Sequence, residues 1–502
     1  MSNVLLIGGT DPSGAGLQTD WKVANTLEVS AHSVVTAVTA QNNSGVQSDG
    51  VLPYAQVKAQ FDALKGLTFS AIKIGMLGNE QVVKAVANYL EKNANDTPVI
   101  LDPVLSSSSG GKLLSYTGQR LMLSKLLPHV TLLTPNLDEI STLSKLPCNH
   151  SEEISRATQI LFELGIKSAL VKGGHTISNK QTESSIDTFI SPSTTFYFVG
   201  KRWPDKNNVR GTGCVLATAI ACYLALGYLL IDSIVLAKAL VSQGINDAIV
   251  DYSNNAANNK SNIYHFHFTN NSSGNNFDLC HLPRLCLTPD EHYPKFSPCD
   301  TLTLGIYPVI DSVEWLKKLV PLGIKTIQLR IKDKQDDEVE TDIIEAIAFC
   351  RAQNVRLFIN DYWKLAIKHR AYGIHLGQED IATADLTAVA NAGCRLGLST
   401  HSYAEVARTL TIKPSYIALG PIFETTSKDM PWIPQGVDAV AHWVKLLGEN
   451  YPLVAIGGIN FERATALKKT GVGSVAMISA ITEAPDYKKA TQGLITLWDS
   501  EN

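Results

Sequence analysis

The sequence predicts two unrelated α/β domains in one chain: a largely parallel sheet covered by helices over residues 1–253, then a (β/α)₈ barrel over 301–502. Three observations predict it. Apolar strand-like runs alternate with helical stretches on both sides of a break, and the second set contains eight such units in about 200 residues. The break itself, 254–300, opens with nine Asn between Asn254 and Asn276 and a single charge, Lys260, so it lacks the apolar surface for a core of its own. The length of 502 residues excludes one small module and admits two or three domains at about 150 residues each.

In the first domain the candidate strands are Val4–Gly8, Val34–Thr39, Ala71–Ile74, Val99–Leu101, Thr131–Leu133 and Ser168–Val171. Their alternation with helical stretches argues for a largely parallel sheet covered by helices. In the second they are Leu302–Tyr307, Thr326–Arg330, Arg356–Asn360, Gly373–Leu376, Arg395–Ser399, Tyr416–Gly420, Leu453–Ile456 and Ser474–Ile478. Within the linker, Ile263–Phe268 alternates like a short strand able to dock on the first domain. Cys280, His281, Cys286, His292 and Cys299 match no familiar zinc spacing, which favours tethering over a metal site.

Composition narrows the class. Lys and Arg number 43 against 47 Asp and Glu, a net charge of −4 with 18% charged residues, so the chain lacks the basic excess of a nucleic-acid binder and phosphate sites must be sought locally. Eight Cys without a CxxC pair fit free thiols in a reducing compartment, and no Lys or Arg precedes the apolar stretch in Met1–Thr10. A cytoplasmic protein is expected. The uncharged span Val215–Ile231 is short for a membrane helix and reads as a buried core helix.

The glycine-rich loop Gly8–Gly16 follows the first strand but completes neither a Walker A loop nor a GxGxxG. Gly211-Thr212-Gly213-Cys214 is sharper, because it leads into the apolar helix from Val215, where free amides suit an oxyanion or a phosphoryl group in transfer. Cys214 at a helix N-terminus is expected to have a lowered thiol pKa and base or nucleophile character; a small core residue fits the spacing equally well. Asp102, Asn136, Glu139 and Lys172 each follow a strand, the ligand-binding edge of an open α/β sheet. A Lys there can neutralise phosphates, and Glu139 or Asp102 could hold Mg²⁺ directly or through water.

Together with Thr39-Ala40-Gln41-Asn42, Lys73-Ile74-Gly75-Met76-Leu77, Thr134–Glu139 and Lys172-Gly173-Gly174-His175, these motifs resemble, in order over about 210 residues, the ribokinase-like superfamily and within it the hydroxymethylpyrimidine/phosphomethylpyrimidine kinases. Sugar kinases of the superfamily end the last motif in Asp, and Cys214 selects the pyrimidine branch. The resemblance implies that Gln41 binds the aminopyrimidine and that Cys214 activates its hydroxymethyl group. It also implies that Lys172, with Gly211 and Gly213, contacts ATP phosphates, while Asn136 and Glu139 organise Mg²⁺. Arg210, where many relatives have His, departs from the pattern.

In the second domain Gln328, Arg330 and Lys332 alternate at a strand end, so their side chains are expected on one side, and two such cations call for an anion such as a diphosphate. Asp361 and Asp380 from neighbouring strand ends are oxygen ligands of the kind Mg²⁺ prefers. Gly457-Gly458-Ile459 and Ile478-Ser479 end strands seven and eight, the usual phosphate corner of such barrels. Ser399-Thr400-His401 lacks the second glycine of a nucleophile elbow and shows no evident carboxylate partner, so a hydrolase triad is rejected. Hydroxyls beside Lys428 suit phosphate better than a Schiff base.

These motifs, with Asn360-Asp361, Gly373–Asp380, Gly420–Phe423 and Thr425 to Lys428, resemble thiamine phosphate synthase over Thr301 to Thr482. The resemblance implies that Gln328 to Lys332, Asn360 and Lys428 bind a pyrimidine diphosphate and that Asp361 and Asp380 bind Mg²⁺. It further implies that Ser399, Thr425, Thr426, Ser427, Gly458, Ile478 and Ser479 line the pyrimidine and thiazole phosphate sites. Glu424 replaces the usual Pro. The expected activity is therefore ATP-dependent phosphorylation of hydroxymethylpyrimidine and its monophosphate, followed by coupling to thiazole phosphate. A pyridoxal-type kinase and a non-catalytic pyrimidine sensor are the alternatives for the first domain; Gln41 and Met76 favour hydroxymethylpyrimidine, and the intact Gly-Thr-Gly-Cys motif opposes the sensor. The partners expected are these small molecules, without nucleic acid or membrane, and both families commonly self-associate, so a homo-oligomer is expected.

Overall fold

A computed structural model describes the chain except residues 1, 13, 43–44, 49, 95, 107–110, 174–182, 204–208, 256–263, 266–276, 333, 425–433 and 501–502. At 41–42, 45–48, 210, 251–255 and 264–265 the backbone alone is described. The chain divides into two compact units, Met1–Asp290 and Glu291–Asn502.

The first unit is built on a nine-stranded sheet. Six strands are parallel, in the order Ser30–Val38, Asn3–Thr10, Ala71–Ile74, Val99–Leu101, Leu132–Leu133 and Ala169–Val171. The runs Val4–Ile7, Ala71–Ile74 and Val99–Leu101 are buried throughout, because helices cover both faces, whereas the edge strand Ser30–Val38 is only partly buried. Three antiparallel strands, Ser184–Ile190, Thr195–Lys201 and Arg284–Cys286, extend the sheet. The last of them comes from the segment expected to be tether: Leu285 and Cys286 are buried, and Phe198 opposite Leu285 supplies the apolar surface that draws the strand in. Tyr264–His265 pairs in parallel with Val209–Arg210, so the alternating Ile263–Phe268 stretch does contribute a short strand to this unit.

The apolar span Val215–Ile231 is two elements. Thr212–Ala225 is a helix with ten buried residues, and Gly227, at φ 94°, turns the chain into a second helix, Leu230–Asn255. Leu230–Val250 is long and apolar enough to cross a membrane by length and composition, with mean hydropathy 1.3 and half of that stretch buried inside the protein.

The second unit is a closed barrel of eight parallel strands: Gly305–Ile310, Thr326–Leu329, Arg356–Asn360, Gly373–Leu376, Arg395–Thr400, Tyr416–Leu419, Leu453–Ile456 and Ser474–Met477. The first begins three residues later than the sequence suggests and runs through Pro308. Pairing to the last strand covers Gly305–Pro308 and pairing to the second covers Val309–Ile310, so no amide at 308 is needed toward the second. Tyr307, Phe358 and Tyr416 fill the interior. Glu291–Asp300 clasps the barrel: Glu291 pairs with Arg408 at 2.6 Å, Arg395 Nε donates to Pro298 O at 3.0 Å, and Arg356 Nε donates to Asp300 Oδ1 at 2.7 Å.

Candidate functional sites

In the first unit the strand ends deliver their charged residues to one place. Lys172, just past Ala169–Val171, donates to Asp102 Oδ1 at 2.8 Å and lies 3.9 Å from Glu139 Oε2. Asn136 caps the helix Leu137–Ser144: its side chain accepts from the Glu139 amide at 2.8 Å, and Glu139 Oε2 accepts from the Asn136 amide at 2.7 Å. Gly211, at φ 84°, precedes the helix Thr212–Ala225, whose start runs against this cluster. A Cβ at Gly213 would lie 3.4 Å from Lys172 Nζ and 3.7 Å from Asp102 Oδ2. The arrangement offers a cation and a helix N-terminus to an anion.

Glu139 is held protonated up to about 7, first by burial and then by the Asp102 charge, with Lys172 only partly opposing. Two carboxylates sharing one ammonium are under-neutralised, and their oxygen-only chemistry fits Mg²⁺. A second pair lies within the unit, which sequence reasoning missed. Lys73 donates to Asp20 Oδ2 at 2.7 Å, and Thr218, one helical turn after Cys214, donates to Asp20 Oδ1 at 2.7 Å; both charges are fully buried. Burial opposes the Lys73 charge, but Asp20 raises its pKa above the ordinary lysine value.

The expectation of a lowered Cys214 pKa is not met. Burial pushes the thiol up to about 12, and the carboxylates of Asp20 and Asp102 oppose the help that Lys73 and Lys172 give. Desolvation therefore outweighs the two nearby ammonium groups. The side chains of Gln41 and Arg210 lie outside the described residues, as does His175. Met76 packs against Gly9, where a Cβ would fall 2.9 Å from its Sδ.

In the barrel a single cavity gathers Gln328, Arg330, Asn360, Asp361, Asp380, Ser399, Gly457, Gly458, Ile478 and Ser479. Lys332 is exposed and is not in that lining, because the strand ends at Leu329 and no longer imposes alternation on residues beyond it. Thr425, Thr426, Ser427 and Lys428 lie outside the described residues. Asp361 sits at φ 65°, a conformation rare outside glycine that aims a strand-end residue into a site. Desolvation first, then the charge of Asp380, holds Asp361 protonated up to about 6, with a hydrogen bond between the two carboxyls. Two acids in one proton-sharing pair fit a divalent cation. Among the described residues no three His, Cys, Asp or Glu side chains gather as a metal site.

The serine and histidine of Ser399-Thr400-His401 part company. Ser399 Oγ meets His375 Nε2 at 2.9 Å, whereas His401 Nδ1 meets Glu405 Oε2 at 2.8 Å. The carboxylate partner absent from the sequence reading thus exists one helical turn on, yet no Ser-His-acid triad forms.

Comparisons with known proteins divide the chain at the same place. The family model for phosphomethylpyrimidine kinase matches residues 11–257, and that for thiamine monophosphate synthase matches 306–481. Thiamine-phosphate synthase from Cronobacter sakazakii is 58% identical over 204 residues, covering 41% of this chain and 96% of the relative. That from Salmonella typhimurium is 57% identical over 206 residues, covering 41% and 97%. Among solved structures, the phosphomethylpyrimidine kinase of Clostridium difficile 630 is similar at TM-score 0.43 and 30% identity, covering 49% of this chain and all of that one. The chain therefore belongs to the phosphomethylpyrimidine kinase family through its first unit and to the thiamine-phosphate synthase family through its second.

Proposed function

We propose that the chain is a bifunctional enzyme of thiamine biosynthesis whose first unit phosphorylates hydroxymethylpyrimidine and then its monophosphate with ATP, and whose second couples the resulting diphosphate to thiazole phosphate. The observation that carries it is the convergence, in each unit, of cations and carboxylates at the carboxyl ends of parallel strands, on the two halves matched by the two families.

In the kinase, Lys172 and the amides at Gly211–Gly213 bind the phosphates in transfer, and Gln41 binds the aminopyrimidine. Cys214 meets the hydroxymethyl oxygen. With its proton retained to about 12, it enters the reaction as a thiol that orients this oxygen, and its service as a base requires substrate charge to change its surroundings. Asn136 and Glu139, with Asp102 beside them, would hold Mg²⁺, which supplies neutralisation of phosphate charge.

In the synthase, Arg330, Asn360 and Lys428 bind the diphosphate, while Asp361 and Asp380 would hold Mg²⁺. The carbon–oxygen bond breaks with its electron pair leaving on diphosphate. The thiazole nitrogen then forms the new carbon–nitrogen bond at the cationic pyrimidine methylene. Ser399 and Gln328 orient the pyrimidine, and Thr425, Thr426, Ser427, Gly457, Gly458, Ile478 and Ser479 hold the thiazole phosphate side. We assign the reaction to the cytoplasm and expect a homo-oligomer. Supplying pyrimidine diphosphate and thiazole phosphate to an Asp361→Ala variant tests the second site: normal conversion would contradict the metal assignment.

A further inference from the structure

A hydrogen-bonded file runs through the barrel core to the cavity. Tyr307 Oη and Tyr416 Oη lie 2.9 Å apart, Tyr416 Oη and His375 Nδ1 2.7 Å, and His375 Nε2 and Ser399 Oγ 2.9 Å. Gln328 lies beside both phenols. Both tyrosines are fully buried, His375 is 6% exposed, and His375 and Ser399 border the cavity. The Tyr416 ring stacks on the imidazole at 5.7 Å and 21°. It has room because residue 397 is glycine: a Cβ there would fall 2.1 Å from Tyr416 Cε1.

His375 is buried with a hydroxyl on each ring nitrogen, a setting that favours the neutral imidazole. A neutral imidazole has one N–H and one lone pair, so the file can run in only two directions. A phenol is a far stronger acid than an aliphatic hydroxyl, and its oxygen is the poorer acceptor because a lone pair is delocalised into the ring. The lower-energy order therefore has Tyr416 donating to Nδ1 and Nε2–H donating to Ser399 Oγ. The opposite order would make the phenol oxygen, the poorer acceptor, accept from the imidazole and leave the weaker acid, the serine hydroxyl, to donate to Nε2. With Oγ already accepting from His375, the serine proton is directed away from the imidazole and into the cavity.

We infer that His375 is a positioning residue: fixed by Tyr416 as its Nε2–H tautomer, it presents the Ser399 hydroxyl as a hydrogen-bond donor to a bare ring nitrogen of the pyrimidine. Its place in the binding of pyrimidine diphosphate rests on the synthase function proposed above, whereas the tautomer is a property of the empty chain. The device favours heteroaromatic substrates that offer an unprotonated ring nitrogen at that point.

The test uses the full chain labelled with ¹⁵N-histidine, with the His375 signals assigned by their loss in His375→Gln. The expected spectrum has a protonated Nε2 and a lone pair on Nδ1, unchanged between about pH 5 and 8, and Tyr416→Phe shifts it toward the other tautomer. In steady-state assays of the synthase step, Tyr416→Phe is expected to raise KM for pyrimidine diphosphate about 5- to 30-fold, with kcat within about 3-fold. His375→Gln, whose amide can still donate to Ser399, is expected to retain more affinity than His375→Leu. A wild-type Nδ1–H tautomer, or a tautomer indifferent to Tyr416→Phe, overturns the inference. So does an unmoved KM in all three variants. If wild type does not consume pyrimidine diphosphate at all, the synthase reading fails, and the substrate-free spectra still decide the tautomer.

Discussion

Lys172 Nζ donates to Asp102 Oδ1 at 2.8 Å across 70 residues of sequence, and the start of the helix Thr212–Ala225 runs against the pair. This contact makes the ammonium a fixed part of the phosphate site instead of a solvated charge. Lys172→Met is expected to lower kinase kcat/KM by about 10²- to 10³-fold while synthesis from supplied pyrimidine diphosphate is unchanged. Assaying the two half-reactions separately checks this. Equal loss in both would mean that the substitution damages the whole chain.

The Cys214 thiol, pushed up to about 12 by burial and flanking carboxylates, is expected to alkylate slowly at neutral pH. Peptide mass spectrometry after iodoacetamide treatment should show its labelling still rising through pH 9. A rate that levels off below pH 8 would mean a thiolate stabilised by the helix N-terminus after all.

Asp361 keeps a proton up to about 6, against an ordinary 3.8, so Mg²⁺ must compete with that proton. Affinity of the barrel for Mg²⁺ is expected to climb with pH and level off above about pH 6, with proton release on binding below it. The sign for folding is opposite. A raised carboxyl pKa means that metal-free stability from this group is present at low pH and is lost as pH rises from 3.8 through 6. Calorimetry in buffers of different ionisation enthalpy measures the proton release; pH-independent binding between 4.5 and 7 would count against the paired-acid site.

Gly397→Ala is expected to destabilise the barrel by at least about 1–3 kcal/mol, since the new methyl would meet the Tyr416 ring at 2.1–2.5 Å. Gly493→Ala, in the helix Tyr487–Asp499 with only Phe461 at 3.6 Å, should be neutral or stabilising by up to about 1 kcal/mol. Denaturant unfolding of the two variants separates these outcomes.

Strands rich in apolar residues were legible, and Ala71–Ile74, Arg356–Asn360, Gly373–Leu376 and Leu453–Ile456 match their expected bounds. Ser184–Ile190 and Thr195–Lys201 were not, because each is only partly buried and lacks a continuous apolar run. Arg284–Cys286 was hidden by the polar segment around it. At the sites, residues next to strand ends were readable from position alone. The Lys73–Asp20 pair was not, because its members are 53 residues apart and Asp20 belongs to none of the motifs quoted. His375 and Tyr416 likewise became meaningful only when the barrel set alternate strands on either side of Gly397. Lys332 shows the reverse error, in which alternation was extended past the end of its strand.

The measurement that tests the central claim most directly is one coupled assay. Hydroxymethylpyrimidine, ATP, Mg²⁺ and thiazole phosphate are supplied together, and thiamine phosphate is measured for wild type, Cys214→Ala and Asp361→Ala. Wild type should form product. Cys214→Ala should fall by about 10²-fold or more from hydroxymethylpyrimidine yet recover fully when pyrimidine diphosphate is supplied. Asp361→Ala should fail from either starting point. No product from wild type, or a normal rate from Cys214→Ala with hydroxymethylpyrimidine, would contradict the account.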